Sequence, residues 1–148
     1  MKYLNFMMSV ILFISCSKEP QPIIYNQDSC TRCKMIISDQ RYGAEIITRK
    51  GKNYKYDSIE CMTAALQTQE TAVDVHSIWV IDFNNPEHFI NAREAWYLHS
   101  SLLKSPMGLN FSAFSNQEMA QTVENVYPGE VIQWPEVKKI VKREWLEN

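Results

Sequence analysis

The sequence predicts an α+β fold built from two tandem ββαβ units and a C-terminal helix. Three observations predict it. From Cys30 onward the chain runs twice through strand, strand, helix, strand patterns. Each run carries a capping-box pattern at the equivalent place, Asp57-x-x-Glu60 and then Ser115-x-x-Glu118. A stretch opened by Pro135 then has one apolar stripe at helical spacing.

The first residues stand outside that fold. Lys2 supplies a basic start, and Phe6 to Ile14 is almost wholly apolar but too short to span a bilayer. Phe13-Ile14-Ser15-Cys16 resembles the lipobox of a bacterial lipoprotein, with Phe13 in the place of the usual leucine and small Ser15 directly before the cysteine. Residues 1–15 are therefore expected to be a lipoprotein signal peptide, with Cys16 acylated after cleavage. Residues 16–29, opening with the polar run Ser17 to Pro22, form a lipid-anchored tether. Buried acyl methylenes would hold the domain on a membrane of the bacterial cell envelope, facing the periplasm or the exterior. An ordinary signal peptide with an incidental cysteine is the plainer reading.

The first ββαβ unit is expected over residues 30–90. Ala44, Ile46 and Thr48 alternate within Tyr42 to Arg49, a strand signal. Lys50-Gly51-Lys52 turns the chain, and Asn53 to Tyr56 returns with aromatics at alternate places. Asp57 is expected to cap a helix whose inner face carries Ile59, Met62, Ala65 and Leu66, with Glu60 reaching back. Ile78 to Phe83 closes the unit as a buried strand.

The second unit, with the last helix, is expected over residues 91–148. Ala95 to His99 is its first strand, Ser100 to Gly108 a long connector, and Leu109 to Phe114 the return strand. Ser115 should cap a helix bearing Met119, Val123 and Val126, which Pro128-Gly129 ends before a closing strand from Glu130 to Trp134. In the final helix Val137, Ile140, Val141 and Trp145 share a face, while Lys138, Lys139, Lys142 and Arg143 meet solvent near the negative end of its dipole.

Charge excludes a nucleic-acid surface. The chain carries a formal net charge of −2, and losing Lys2 with the leader makes it about −3. No Ser-His-Asp arrangement, phosphate loop or HExxH motif is present, so an enzyme is not expected. With Cys16 acylated, three cysteines remain: Cys30, Cys33 and Cys61. An odd number in an oxidising compartment implies at least one functional or metal-protected thiol.

The chemistry concentrates in Cys30-Thr31-Arg32-Cys33-Lys34-Met35. A Cys-x-x-Cys pair can be a structural disulfide, a redox pair, half of a zinc site or a copper site. Redox chemistry favours a pair at a helix N-terminus, and the residues after this one look extended. Structural zinc usually takes four ligands, and Cys61 would need a partner from His76, His88 or His99. Cu(I) is satisfied by two or three soft sulfur donors. Met35 falls on the same side of an extended segment as Cys33, and Cys61-Met62 gives another sulfur pair. Met107 lies in the Pro106-Met107-Gly108 loop rather than on an apolar face, unlike the usual core methionine.

In this order the motifs resemble one family. A lipoprotein cysteine is followed by Cys30-x-x-Cys33-x-Met35-x-Ile37, by Tyr56-Asp57-Ser58-Ile59-Glu60-Cys61-Met62 and by Val80-x-Asp82. Ala92-Arg93-x-Ala95, Pro106-Met107-Gly108 and Ala113-Phe114 complete the series. Together they resemble NosL, the accessory lipoproteins of nitrous oxide reductase. The resemblance implies a pair of ββαβ units similar to organomercurial lyases, and a membrane-anchored Cu(I) metallochaperone. Its partner would be an extracytoplasmic cuproenzyme, nitrous oxide reductase, or its copper-insertion machinery. The donors carried over are Cys33, Met35 and Met107, followed by Cys30, then Cys61 and Met62. Lys34 replaces the family's usual glycine, which constrains the backbone and sets a cation beside the thiol. Met107 would bridge the two units if its loop folded over the Cys33 segment. The alternative function is a thiol-disulfide redox lipoprotein using Cys30 and Cys33.

Overall fold

A computed structural model describes residues 18–69 and 74–147. Cys16, the expected acylation site, and the expected leader lie outside the described residues. The first unit contributes β1 (Ala44–Thr48), β2 (Asn53–Tyr56), α1 (Ile59–Gln67) and β3 (Val75–Asp82). An additional strand, β4 (Asn85–Asn91), follows before the second unit. That unit contributes β5 (Trp96–His99), β6 (Phe111–Phe114), α2 (Gln117–Glu124) and β7 (Glu130–Gln133). The chain ends in α3 (Trp134–Val141) and a turn of π-helix over Lys142–Leu146.

The duplication is visible in the sheet order. One sheet runs β2-β1-β3-β4 and the other β6-β5-β7, so the first strand of each unit lies between its second and third. All pairings are antiparallel. The sequence pattern missed β4, because Pro86 and a run of exposed polar residues hide an edge strand. Such a strand needs only one hydrogen-bonded neighbour, and β3 supplies it.

Both helix caps sit one residue later than expected. Ser58, not Asp57, caps α1 by accepting from the Cys61 N–H at 3.2 Å. Asn116, not Ser115, caps α2 by accepting from the Met119 N–H at 2.9 Å. The identical displacement keeps the two units equivalent. It also releases Asp57 and Glu60 from capping, with consequences at the site. Val126 lies beyond α2 and is exposed, and only Ala120 of that helix is buried. Trp134 opens α3 rather than closing β7, with Pro135 in the first turn.

The two units share one core. Ile46, Tyr56, Ile59 and Met62 from the first pack with Tyr97, Phe111, Ile132, Trp134 and Val137 from the second. The β3 end joins β6 through Phe83 N–H to the Ala113 carbonyl at 2.8 Å. The apolar stripe of α3 buries Val137 and Val141, and Gln67 of α1 donates to the Lys138 carbonyl at 2.9 Å. No helix among the described residues is long and apolar enough to cross a membrane.

One buried carboxylate fastens the entering chain to this core. Glu45 on β1 is fully buried, and its Oε2 accepts from the Gln21 N–H and from Asn53 Nδ2, each at 3.0 Å. Its Oε1 has no hydrogen-bond partner among the described residues. Burial raises the Glu45 carboxyl above its ordinary value; the Gln21 and Asn53 bonds and Lys55 oppose the rise, and Asp28 adds to it. The folded protein thus retains a proton that the unfolded chain loses first. The contribution of Glu45 to stability is greatest below the ordinary glutamate value of 4.5 and is lost as pH rises through the higher folded value. Glu45→Gln keeps the accepting oxygen and removes the ionisation. We expect its urea midpoint to exceed that of the parent at pH 8 by about 1 kcal/mol of stability, and the difference to vanish near pH 4.

Candidate metal site

The segment before β1 is a tight loop closed by its own backbone. Cys30 N–H bonds the Met35 carbonyl at 2.8 Å, Lys34 N–H bonds the Cys30 carbonyl at 3.0 Å, and Ser29 pairs with Ile36. Thr31 N–H reaches the Lys55 carbonyl at 2.8 Å and ties the loop to β2. Lys55 Nζ also reaches Asp28 Oδ2 at 2.6 Å, and since β2 leads directly through Asp57 and Ser58 into α1, these ties set Cys30 and Cys33 beside the start of the helix.

Four donors converge there. The Sγ atoms of Cys30, Cys33 and Cys61 and a carboxylate oxygen of Asp57 all lie within 4.8 Å of one another. All three thiols are free. Cys30 and Cys61 are fully buried, and Cys33 is partly exposed. Cys33 Sγ donates to Asp57 Oδ2 at 3.3 Å.

The thiols are not equivalent. A hydrogen bond from the Cys61 thiol, the largest influence, lowers the Cys30 thiol well below its ordinary value against the opposing effect of burial; the Asp57 and Cys33 N–H groups add to the lowering. Cys61, as donor in that bond and buried besides, is pushed up. Burial pushes the Cys33 thiol up to about 12, with the Cys30 and Asp57 bonds adding to the rise. The arrangement thereby favours the thiolate at Cys30 and the protonated thiol at Cys33 and Cys61. A soft monocation entering the cluster would displace those protons and share the sulfurs.

The methionines are placed differently. Met35 is 53% exposed at the outer edge of the loop. Met107 is partly buried and packs against the same core cluster as Cys30, Cys33 and Cys61. Met62 is fully buried within that cluster. His99 stacks on Phe111 at 4.8 Å and lines a separate cleft of about 290 Å³ with Ile132, Glu136 and Ile140. No histidine joins the donors gathered at the thiols among the described residues.

Asp57 is the site residue that sequence reading missed. The available signal was the adjacency of two cap-forming residues, Asp57 and Ser58, of which only one can cap. The other is left facing whatever packs on the helix end.

Lys34 adopts φ +66°, the left-handed region that favours glycine. Its ammonium bonds the Thr31 carbonyl within the loop. The backbone is thus the one a glycine would take, held by a residue that costs about 1 kcal/mol there. Lys34→Gly removes that cost but frees the unfolded chain, so the net change should stay within about 1 kcal/mol. Lys34→Val should destabilise by more than about 1 kcal/mol, because β-branching is incompatible with positive φ. Urea midpoints of the two variants check both.

Three comparisons bear on this geometry. The NosL family model matches residues 21–141. The copper-binding lipoprotein NosL of Stutzerimonas stutzeri is 24% identical over 132 residues, which cover 84% of this chain and 70% of that protein. The crystal structure of the copper chaperone NosL from Shewanella denitrificans matches with a TM-score of 0.71 at 25% identity, covering 84% of this chain and 98% of that one.

Proposed function

Because the chain belongs to the NosL family, we propose that it is a copper chaperone that carries Cu(I) in the Cys30–Cys33–Cys61 cluster. The gathering of three thiols within 4.8 Å carries this reading. Thiolates select soft d10 ions, and two or three suffice for Cu(I). Cys30 and Cys61 form the buried floor, and Cys33 the rim. Partial exposure of Cys33 lets an incoming donor from a partner displace it, so the ion leaves by ligand exchange without free copper in solution. Exposed Met35 and the Met107 loop offer further soft donors for entry and exit. Acylation of Cys16 would keep the carrier at a membrane of the envelope. The receiver is an extracytoplasmic cuproenzyme, nitrous oxide reductase, or its copper-insertion machinery. The role is delivery, not catalysis.

One observation favours a second reading. Asp57 completes a set of four donors, and three thiolates with a carboxylate suit tetrahedral Zn(II). The thiol-disulfide alternative uses Cys30 and Cys33 alone and leaves Cys61 and Asp57 without a part. Offering Cu(I) and Zn(II) together to the reduced protein separates the metals. About one Cu(I) retained per chain is the expected result. Preferential retention of Zn(II) would replace the copper reading with the zinc one.

A further inference from the structure

We propose that Glu60 is a positioning residue: it holds the loop from Ser105 to Leu109, and so Met107, against the end of α1 that carries Cys61. The proposal deepens the copper reading above and rests on it for the role of Met107.

Glu60 lies in the first turn of α1, directly before Cys61, and is fully buried. A carboxyl group in such a place is costly unless its oxygens are used; Oε2 has no hydrogen-bond partner among the described residues, so the whole tie falls on Oε1. Glu60 Oε1 accepts from the Ser105 hydroxyl and from the Leu109 N–H, the latter at 3.3 Å. These two contacts flank Pro106, Met107 and Gly108. Both ends of the methionine turn are therefore tied to one oxygen of one side chain on the other unit.

Ser105 passes that tie through the loop. Its Oγ accepts from the Asn110 N–H at 2.8 Å and the Gly108 N–H at 3.3 Å. Its own N–H donates to Asn110 Oδ1 at 3.2 Å. Gly108 at φ +89° and Asn110 at φ +62° supply the reversals that bring these groups together. Released from Glu60, the Ser105 hydroxyl would lose its acceptor at the centre of this network.

The chemistry explains why a carboxylate serves here. The loop presents a hydroxyl and an N–H, both donors, and Oε1 has lone pairs for both. An apolar side chain would fill the space but leave two buried donors unmet. The Met107 turn is thus formed before any metal arrives. Binding then does not bear the entropy of ordering it, which strengthens the sulfur's contribution. Glu60 touches neither the thiols nor an ion in this scheme and acts only through Ser105 and Leu109.

Five full-length reduced proteins test this: the parent, Glu60→Ala, Glu60→Gln, Met107→Ala and the double variant Glu60→Ala with Met107→Ala. Amide hydrogen exchange of residues 105–110 is read without metal, and Cu(I) affinity by competition with a chromophoric Cu(I) chelator. Glu60→Ala should speed exchange of the loop about tenfold and weaken Cu(I) binding by about tenfold, as expected for one lost buried partner. Combined with Met107→Ala, it should weaken binding no further. Glu60→Gln, which keeps an accepting oxygen, should restore both loop exchange and affinity. Unchanged loop exchange in Glu60→Ala overturns the proposal, as does an equal loss of affinity on the Met107→Ala background. If Glu60→Ala does not fold, Ser105→Ala takes its place with the same expected and contrary outcomes. If the parent binds no Cu(I), the copper reading fails, and loop exchange alone decides whether Glu60 holds the turn.

Discussion

Cys61→Ser should weaken Cu(I) binding by about 100-fold or more, since even changes behind the ligands cost about 10–100-fold in metal affinity. Two effects combine. The hydroxyl is a hard donor that Cu(I) does not favour. The Cys61 thiol is also what holds Cys30 toward its thiolate form. The fold should survive, because Ser58 caps α1 through the backbone N–H of residue 61 and not through its side chain. Circular dichroism would show an unchanged spectrum while chelator competition shows the loss. Met35→Ala is the contrasting variant. Met35 is 53% exposed, so its removal should cost less than about tenfold. A larger loss in Met35→Ala than in Cys61→Ser would move the site outward to Cys33, Met35 and Met107.

Phe114→Ala should cost about 3–5 kcal/mol of stability and lower the melting temperature by roughly 10–20 °C. Phe114 is fully buried and packs with Leu98, Leu103 and Ala120 in the second unit's own cluster. Its ring lies 5.6 Å from Phe83, and Phe83 lies 5.9 Å from Tyr42 in an edge-on contact. That aromatic chain continues from the second unit into the first. Removing its end leaves a cavity between β5, the connector at Leu103 and α2 at Ala120, which packed neighbours close over only in part. Calorimetry measures the shift. Below the lowered transition the variant should still load Cu(I), since the three thiols belong to the first unit and its preceding loop.

Much of the fold was legible because its determinants are local. The strand signal within Ala44–Thr48 and the helical spacing within Val137–Val141 depend on short windows, although β1 is buried along its whole length and not on alternate residues. The repeated order of elements was legible for the same reason. The caps were legible only to within one residue: Asp57-Ser58 and Ser115-Asn116 each offer two competent side chains, and the backbone at the turn chooses between them. β4 was illegible because its apolar content is low and its existence depends on the open edge of β3.

The sequence by itself determined the soft-donor inventory, the family and the succession of elements apart from β4, since these reside in residue types and short spacings. Tertiary structure alone decided which donors meet. Cys61 joins Cys30 and Cys33 because Thr31 bonds to β2, and β2 turns directly into the helix that bears Cys61. Asp57 became a neighbour of Cys33 because Ser58 took the cap. Glu60 became an anchor for Ser105 because the second unit packs its connector on that helix end. Each of these pairings is distant in sequence, and its geometry comes from the shared core that both units bury, which no local window encodes.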